Sequence, residues 1–300
     1  MTAWKINLIE AGLPLPDAIT LRVPSAPIGF VRKLCKKQRV VVGGQVGDIS
    51  RTVQYGEHIL IKSSERWLEL LERSPVQPAE ILYEDTECLV INKPSGLAVH
   101  HAHGHDDDLK SRLQNFLQLR RERFQLAPIH RLDAGTSGAI LFGKGKKATG
   151  QLGQELMAGG ISKRYLALVQ GVVDKAGELA TPVLAKGRMK AALTRYRPID
   201  NNGWTTLLEL ELVTGRRHQI RKQLSETGWP IIGDSRYHQR SRVAAGRLLL
   251  HCRFLAYRNP VSGRMIEVVS PLPEDFIAEL SRLGLPTRDL SGLIRQNTAT

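Results

Sequence analysis

His130-Arg131-Leu132-Asp133-Ala134-Gly135-Thr136-Ser137-Gly138 packs a histidine, an arginine and a carboxylate into four residues, then sets two hydroxyls between two glycines. Ala139-Ile140-Leu141-Phe142 follows at once and reads as a buried strand. The polar cluster therefore lies on a turn at the mouth of a strand, where Gly135 and Gly138 permit backbone angles that other residues resist. A rigid strand beneath a polar loop is a common way to hold catalytic groups still. On its own, Asp-Ala-Gly-Thr is equally compatible with an Asx turn that has Arg131 as its surface partner. The rest of the chain decides between the two.

The chain has 300 residues, enough for one large domain and a small one. Hydrophobic residues make up 42% and charged residues 24%, ordinary values for a globular protein, while aromatics are only 5%. Lys and Arg number 43 against 29 Asp and Glu, a formal net charge of +14. A charge that large points to a polyanionic partner, because each neutralised phosphate releases counterions. Nucleic acid is the first candidate and an anionic membrane surface the second. No apolar run approaches the ~20 residues of a membrane-spanning helix. The start, Met1-Thr2-Ala3-Trp4-Lys5, lacks the charged-then-apolar order of a signal peptide. Cys35, Cys88 and Cys252 lie far apart and form no Cys-x-x-Cys, which fits a reducing cytoplasm and argues against disulfides or a cysteine zinc site.

Residues 1–20 are weakly patterned, and Pro14 and Pro16 are expected to break any helix there. Ile28 to Gln38 reads as a short helix, with Ile28, Val31 and Leu34 at spacings of three. Arg32, Lys33, Lys36 and Lys37 crowd its other face, and Arg39 follows. Val40-Val41-Val42, a Gly43-Gly44 turn and Gln45-Val46 read as a hairpin. His58 to Ile61 is a further strand. The basic helix and Gly-turned hairpin resemble the small RNA-binding domain with the helix-loop-strand "αL" motif, over about residues 20–62. The alternative is a merely solvated cationic face. The clustering of these cations beside the turn favours RNA contact by Arg32, Lys33, Lys36, Lys37 and Arg39. We expect this domain to occupy residues 1–62 and a linker 63–79, where Glu65 to Arg73 carries a Trp67, Leu68, Leu71 stripe.

A catalytic domain is expected over residues 80–285. Ile81 to Tyr83 and Cys88 to Ile91 form a hairpin that runs into Asn92-Lys93-Pro94-Ser95-Gly96. His100, His101, His103 and His105 then precede Asp106-Asp107-Asp108. These are metal-ligand residue types, so a metal-dependent hydrolase is one reading. A Gly-containing loop is a poor metal cage, however, and the preferred reading is a loop that caps the next helix through Asp107 or Asp108. That helix is expected from Leu109 to Phe124, and another from Lys147 to Met157, ended by Gly159-Gly160. Ser162 to Val169 reads as a strand and Thr205 to Leu212 as a half-exposed one. In Thr214-Gly215-Arg216-Arg217-His218-Gln219-Ile220-Arg221-Lys222-Gln223-Leu224 the second half is helical, so His218 and Arg221 share a face. Leu248 to Cys252 and Met265 to Val269 are further strands, and residues 286–300 read as a disordered tail. Many strands and few helices predict an α+β domain with a mixed or antiparallel sheet.

Five stretches in order resemble the RluA-type pseudouridine synthases. They are Asn92-Lys93-Pro94-x-Gly96; His130-Arg131-Leu132-Asp133 with Thr136-Ser137-Gly138; Lys163-x-Tyr165-x-Ala167-Leu168-Val169; Gly215-Arg216-x-His218-Gln219-Ile220-Arg221; and Gly233-Asp234-x-x-Tyr237. The resemblance spans about residues 80–275. It implies an α+β catalytic domain with a central cleft that converts uridine in structured RNA to pseudouridine, with no metal or redox cofactor. By position Asp133 matches the catalytic aspartate, Tyr165 the active-site tyrosine and Arg221 the arginine paired with the aspartate. Arg131 matches the arginine that fills the gap left by the flipped nucleotide, and His130 and His218 are further candidate RNA contacts.

The physics suits those roles. A stacked uridine must be extruded to present its glycosidic bond, at a cost of a few kcal/mol. A planar guanidinium offsets part of the lost stacking. A carboxylate sheltered from water tends to protonate, and a paired arginine opposes this, ideally as a bidentate fork. Tyr165 offers a flat face to uracil and a hydroxyl near C5. Two departures stand out: Ala134-Gly135 replaces residues that are usually polar or charged, and Arg217 replaces a usual threonine. The extra N-terminal domain favours large-subunit ribosomal RNA as substrate. Transfer RNA and a non-catalytic ribosome-assembly role are the alternatives, and the protein is expected to be monomeric.

Overall fold

The structure is a computed structural model. It describes all residues except 7–9, 24–25, 63, 73–78, 101–106, 120–121, 186, 238–244 and 287–300. The expected C-terminal tail and most of the histidine loop therefore lie outside the described residues. The chain forms two compact units. One is Met1–Ile81 with Ser111–Phe124, the other Leu82–Lys110 with Gln125–Thr300.

In the first unit, β1 (Thr2–Lys5) is followed by α1 (Leu15–Arg22), α2 (Ile28–Lys36), β2 (Val40–Val42), β3 (Gln45–Val46), β4 (His58–Ile61) and α3 (Glu65–Glu72). The strands form one sheet in the order β1-β4-β2-β3. Pro14 and Pro16, expected to break a helix, instead begin α1. Their missing N–H groups fall where a helix leaves N–H groups unpaired anyway. Helix α2 buries Val31, Leu34 and Cys35 and leaves Arg32, Lys33 and Lys36 exposed, as are Lys37 and Arg39 beyond it. Gln38 ends the turn with φ +54°. Gly43 and Gly44 both have positive φ, the geometry that a two-residue hairpin loop requires. In α3 the buried stripe is Trp67 with Leu70, whereas Leu68 is exposed. The Trp67 indole donates to Thr2 Oγ1 at 3.0 Å, so this segment packs as part of the unit.

The second unit is built on a ten-stranded sheet. Its elements in chain order are β5 (Glu80–Glu84), β6 (Cys88–Lys93), α4 (Leu109–Leu119), β7 (Leu126–Pro128), β8 (Ser137–Lys144), α5 (Gly145–Met157) and β9 (Ser162–Gln170). They continue with β10 (Gly177–Leu179), β11 (Val183–Ala185), β12 (Arg188–Lys190), β13 (Thr194–Asn201), β14 (Thr205–Leu212), α6 (Gln219–Glu226), β15 (Leu250–Arg258), β16 (Met265–Val269) and α7 (Glu274–Arg282). The sheet order is β10-β13-β14-β9-β15-β8-β6-β5, with β16 on β15 and β7 on β8; β11 and β12 pair separately. Helix α4 begins in this unit and ends in the other. The fold is α+β with a mixed sheet, as the sequence predicts.

Two strand features position the site. Strand β14 is not half-exposed: Thr205 to Leu210 are all buried, and Leu207 packs with Phe276 and Leu280 of α7 on one face. Strands β8 and β15 run parallel, with Ser137 opposite His251 and Gly138 opposite Cys252, whereas β6–β8, β9–β15 and β14–β9 are antiparallel. Gly138 has φ +111°, and a Cβ there would lie 2.3 Å from the Cys252 carbonyl oxygen. No other residue allows that approach. The core of this unit includes Leu166, Leu168, Leu207, Ile232, Leu249, Phe276 and Leu280, so α7 seals the sheet beneath the cleft.

Candidate active site

Asp133 lies on the turn before β8, closed by Thr136 N–H on the Asp133 carbonyl at 3.0 Å. The turn is stapled to the Asn92–Gly96 bend. Gly96 N–H donates to the Ala134 carbonyl at 2.8 Å, and Ser95 Oγ to the Gly135 carbonyl at 2.7 Å. Lys93 Nζ donates to the carbonyls of Pro94, Leu97 and Ala134 at 2.8, 2.7 and 2.9 Å. Burial pushes the Lys93 pKa down to about 7, while Asp133 opposes the shift. Three acceptors for three N–H groups are satisfied only by the ammonium, so Lys93 is a clamp under the aspartate loop.

Helix α6 carries Arg221 to this carboxylate. Arg221 Nη1 donates to Asp133 Oδ2 at 3.1 Å, but its fork is spent elsewhere. Nε and Nη2 each donate to Asp234 at 2.8 Å. The expected bidentate Arg221–Asp133 pair is thus corrected to a single bond, with Asp234 taking the fork. Asp234 is buried and also accepts the N–H groups of Arg236 and Tyr237, so it ties the turn after Gly233 to helix α6. Burial opposes the Arg221 charge, but the bonds and charge of Asp234, then of Asp133, outweigh it and hold its pKa above the ordinary arginine value. Burial likewise works against ionised Asp234, yet Arg221 and the two backbone N–H groups hold its pKa below the usual carboxylate value.

His218, expected at the RNA, faces the same carboxylate: Nε2 is 3.5 Å from Asp133 Oδ1. Its Nδ1 pairs with Tyr237 OH at 2.9 Å, and its backbone is left-handed at φ +54° just before α6. Burial lowers the His218 pKa, Asp133 opposes this, and Arg221, Arg217 and Arg236 reinforce it. Two buried glutamines fix the helix. Gln219 Nε2 donates to the Leu193 carbonyl and Thr194 Oγ1, and Gln223 Nε2 reaches the Leu179, Thr181 and Ala192 carbonyls.

Tyr165 on β9 forms another wall. Burial, then the Cys252 thiol beside it and Asp133, push its phenol well above the ordinary value, so the hydroxyl is a donor and not a base. Arg131 is exposed at the rim. His130 is turned away from the cleft. Its Nε2 accepts the Leu141 N–H at 3.1 Å, and burial, helped by Lys163, lowers its pKa to about 3. His130 is thus a neutral ring bound to the strand backbone and is not among the residues that line the cleft. Arg32, Lys33, Lys36, Lys37 and Arg39 belong to the first unit.

The cleft, about 60 Å³ in volume, is lined by Arg131, Asp133, Tyr165, His218 and Arg221, with Leu132, Ile220 and Leu250 among its apolar walls. One carboxylate among fixed cations, beside a buried phenol, suits reaction at an electron-poor sugar carbon of an anionic substrate. Among the described residues no cluster has the make-up of a metal site, and His101, His103 and His105 lie outside them. The sequence motifs contained Asp234, Tyr237 and Lys93, but not their pairing. Only folding shows that Asp234 meets Arg221, that Tyr237 meets His218 and that Lys93 meets three carbonyls.

The RNA pseudouridylate synthase family matches residues 87–226. Ribosomal large subunit pseudouridine synthase D of Pseudomonas aeruginosa is 35% identical over 231 residues, covering 68% of this chain and 71% of that protein. The Nitrosomonas europaea protein of the same name is 30% identical over 302 residues, covering 94% and 88%. Among solved structures, human RNA pseudouridylate synthase domain containing 4 matches with a TM-score of 0.59 at 26% identity, covering 69% of this chain and 93% of that one. The chain belongs to the RNA pseudouridylate synthase family.

Proposed function

We propose that the protein isomerises uridine to pseudouridine in large-subunit ribosomal RNA, with Asp133 as the group that acts on the ribose. The observation that carries this is the Arg221 bond to Asp133 inside the cleft that Tyr165 also lines. The C1′–N1 bond breaks, the uracil turns, C1′ joins C5, the C5 proton leaves and N1 gains one. Asp133 attacks C1′ or stabilises its cationic character. Arg221 keeps the carboxylate aimed. Tyr165 gives uracil a flat surface and a hydroxyl that donates. Arg131 at the rim fills the vacancy left by the everted base. His218 holds the second carboxylate oxygen from the far side.

The exposed cations of α2 and Arg39 support an RNA-anchoring role for the N-terminal unit. No helix among the described residues is long and apolar enough to cross a membrane, and the three cysteines are free thiols. Free thiols suit a reducing compartment, and we read the protein as a cytoplasmic monomer.

The test is Asp133→Asn on a large-subunit ribosomal RNA transcript. Pseudouridine formation is expected to vanish while RNA affinity stays within about twofold of wild type. Product formed by the variant at the wild-type rate would remove Asp133 from this role.

A further inference from the structure

A second basin shares His218 with the cleft. Arg217, His218, Lys222, Arg236 and Tyr237 line about 440 Å³ of space there. No carboxylate lines this space, and three of its five lining side chains are permanent cations. Among the described residues Arg217 and Lys222 have no carboxylate partner, and Arg217 and Arg236 are exposed. The Tyr237 hydroxyl and His218 Nδ1 share a hydrogen bond at 2.9 Å. Its ring lies between two guanidiniums, with Arg221 at 5.2 Å and Arg236 at 5.7 Å from the centroid. Arg236 is thus held at the mouth of the basin by a cation–π contact. The charges of Arg217 and Arg236 are felt by the His218 ring.

Three like charges around one open space repel one another, and an anion placed among them relieves that cost. A divalent cation is excluded by the same charges, and an apolar ligand would leave them all desolvated. The planar forks of Arg217 and Arg236 match phosphate oxygens, and Lys222 adds a point charge. The space is far larger than one inorganic phosphate needs, so it fits a nucleotide unit of a chain. His218 is a wall of both spaces. A strand whose target base is in the cleft therefore passes its neighbouring backbone by this basin.

We propose that Arg217, Lys222 and Arg236 form a phosphodiester-binding site for the RNA strand adjoining the everted nucleotide. The Tyr237–His218 pair joins that site to the reacting carboxylate. The inference rests on RNA being the substrate.

The experiment measures binding of a large-subunit ribosomal RNA transcript to wild-type protein, Arg217→Gln, Lys222→Gln and the double variant across a salt series. Thermal melting confirms that each is folded. Each lost phosphate contact is expected to make the plot of log affinity against log salt shallower by roughly 0.7–0.9. The double variant is expected to bind on the order of tenfold more weakly at low salt. Arg217→Lys is expected to retain the wild-type slope, because it retains the charge. Glutamine variants that match wild type in affinity and slope at every salt concentration would overturn the site. Product formation by wild type is scored on the same transcript. Wild type that neither binds nor modifies it defeats the substrate reading and this site with it. Wild type that does both, beside unaltered glutamine variants, defeats this site alone.

Discussion

Arg221 has five N–H donors and divides them unevenly. Two are committed to Asp234 in a fork, and a third reaches Asp133. The guanidinium plane is therefore set by Asp234, and the remaining single bond points it at Asp133. Asp234 is 2% exposed. Removing one partner of such a buried pair costs about 3–5 kcal/mol. Asp234→Ala is expected to lower unfolding free energy by that amount in urea titration and to reduce turnover, with Arg221 unmoored. The same pair sets an acid limit. The folded pKa of Asp234 lies below its unfolded value, so its contribution is complete above about pH 4 and is lost as pH falls through the folded pKa. The wild type should lose stability on acidification below that point more steeply than Asp234→Asn. Equal pH slopes for the two would show that the pair is not coupled to folding.

At the scale of elements, the parallel contact of β8 with β15 is the tightest fit in the sheet. A methyl group at residue 138 meets the Cys252 backbone, and the residue needs φ +111°. Overpacking of this kind costs roughly 1–3 kcal/mol, and backbone strain adds to it. Gly138→Ala is therefore expected to fall in stability by several kcal/mol and to lose activity, read by thermal melting and product yield. A variant that melts like wild type would show that the two strands separate easily. Strand β8 was legible because its apolar run is unbroken. Helix α6 was legible because Ile220 and Leu224 repeat at helical spacing and Gly228 ends it. Helix α1 was not, because prolines at a first turn look like prolines that stop one. Strand β14 misled because alternating Glu209 and Glu211 suggest a wet face, although Glu209 is buried and pairs with Arg197. The Asp133, Tyr165 and Arg221 trio came from motifs. The fork to Asp234 could not, since no spacing encodes which of two carboxylates an arginine will face.

For the molecule as a whole, the surplus of cations is the dominant physical fact. Part of it is gathered on α2, where Arg32, Lys33 and Lys36 are exposed, with Lys37 next to them. Changing these four to glutamine is expected to weaken RNA binding across all sequences and to reduce the salt slope by about 0.9 for each phosphate contact they make. An unaltered slope would make them solvated charges only.

Ser137 and His251 are bonded across β8 and β15 although 114 residues separate them along the chain. Pairings that distant are entropically slow to close. The loop that carries Asp133 therefore gains its support from β15 only when the two distant segments have met.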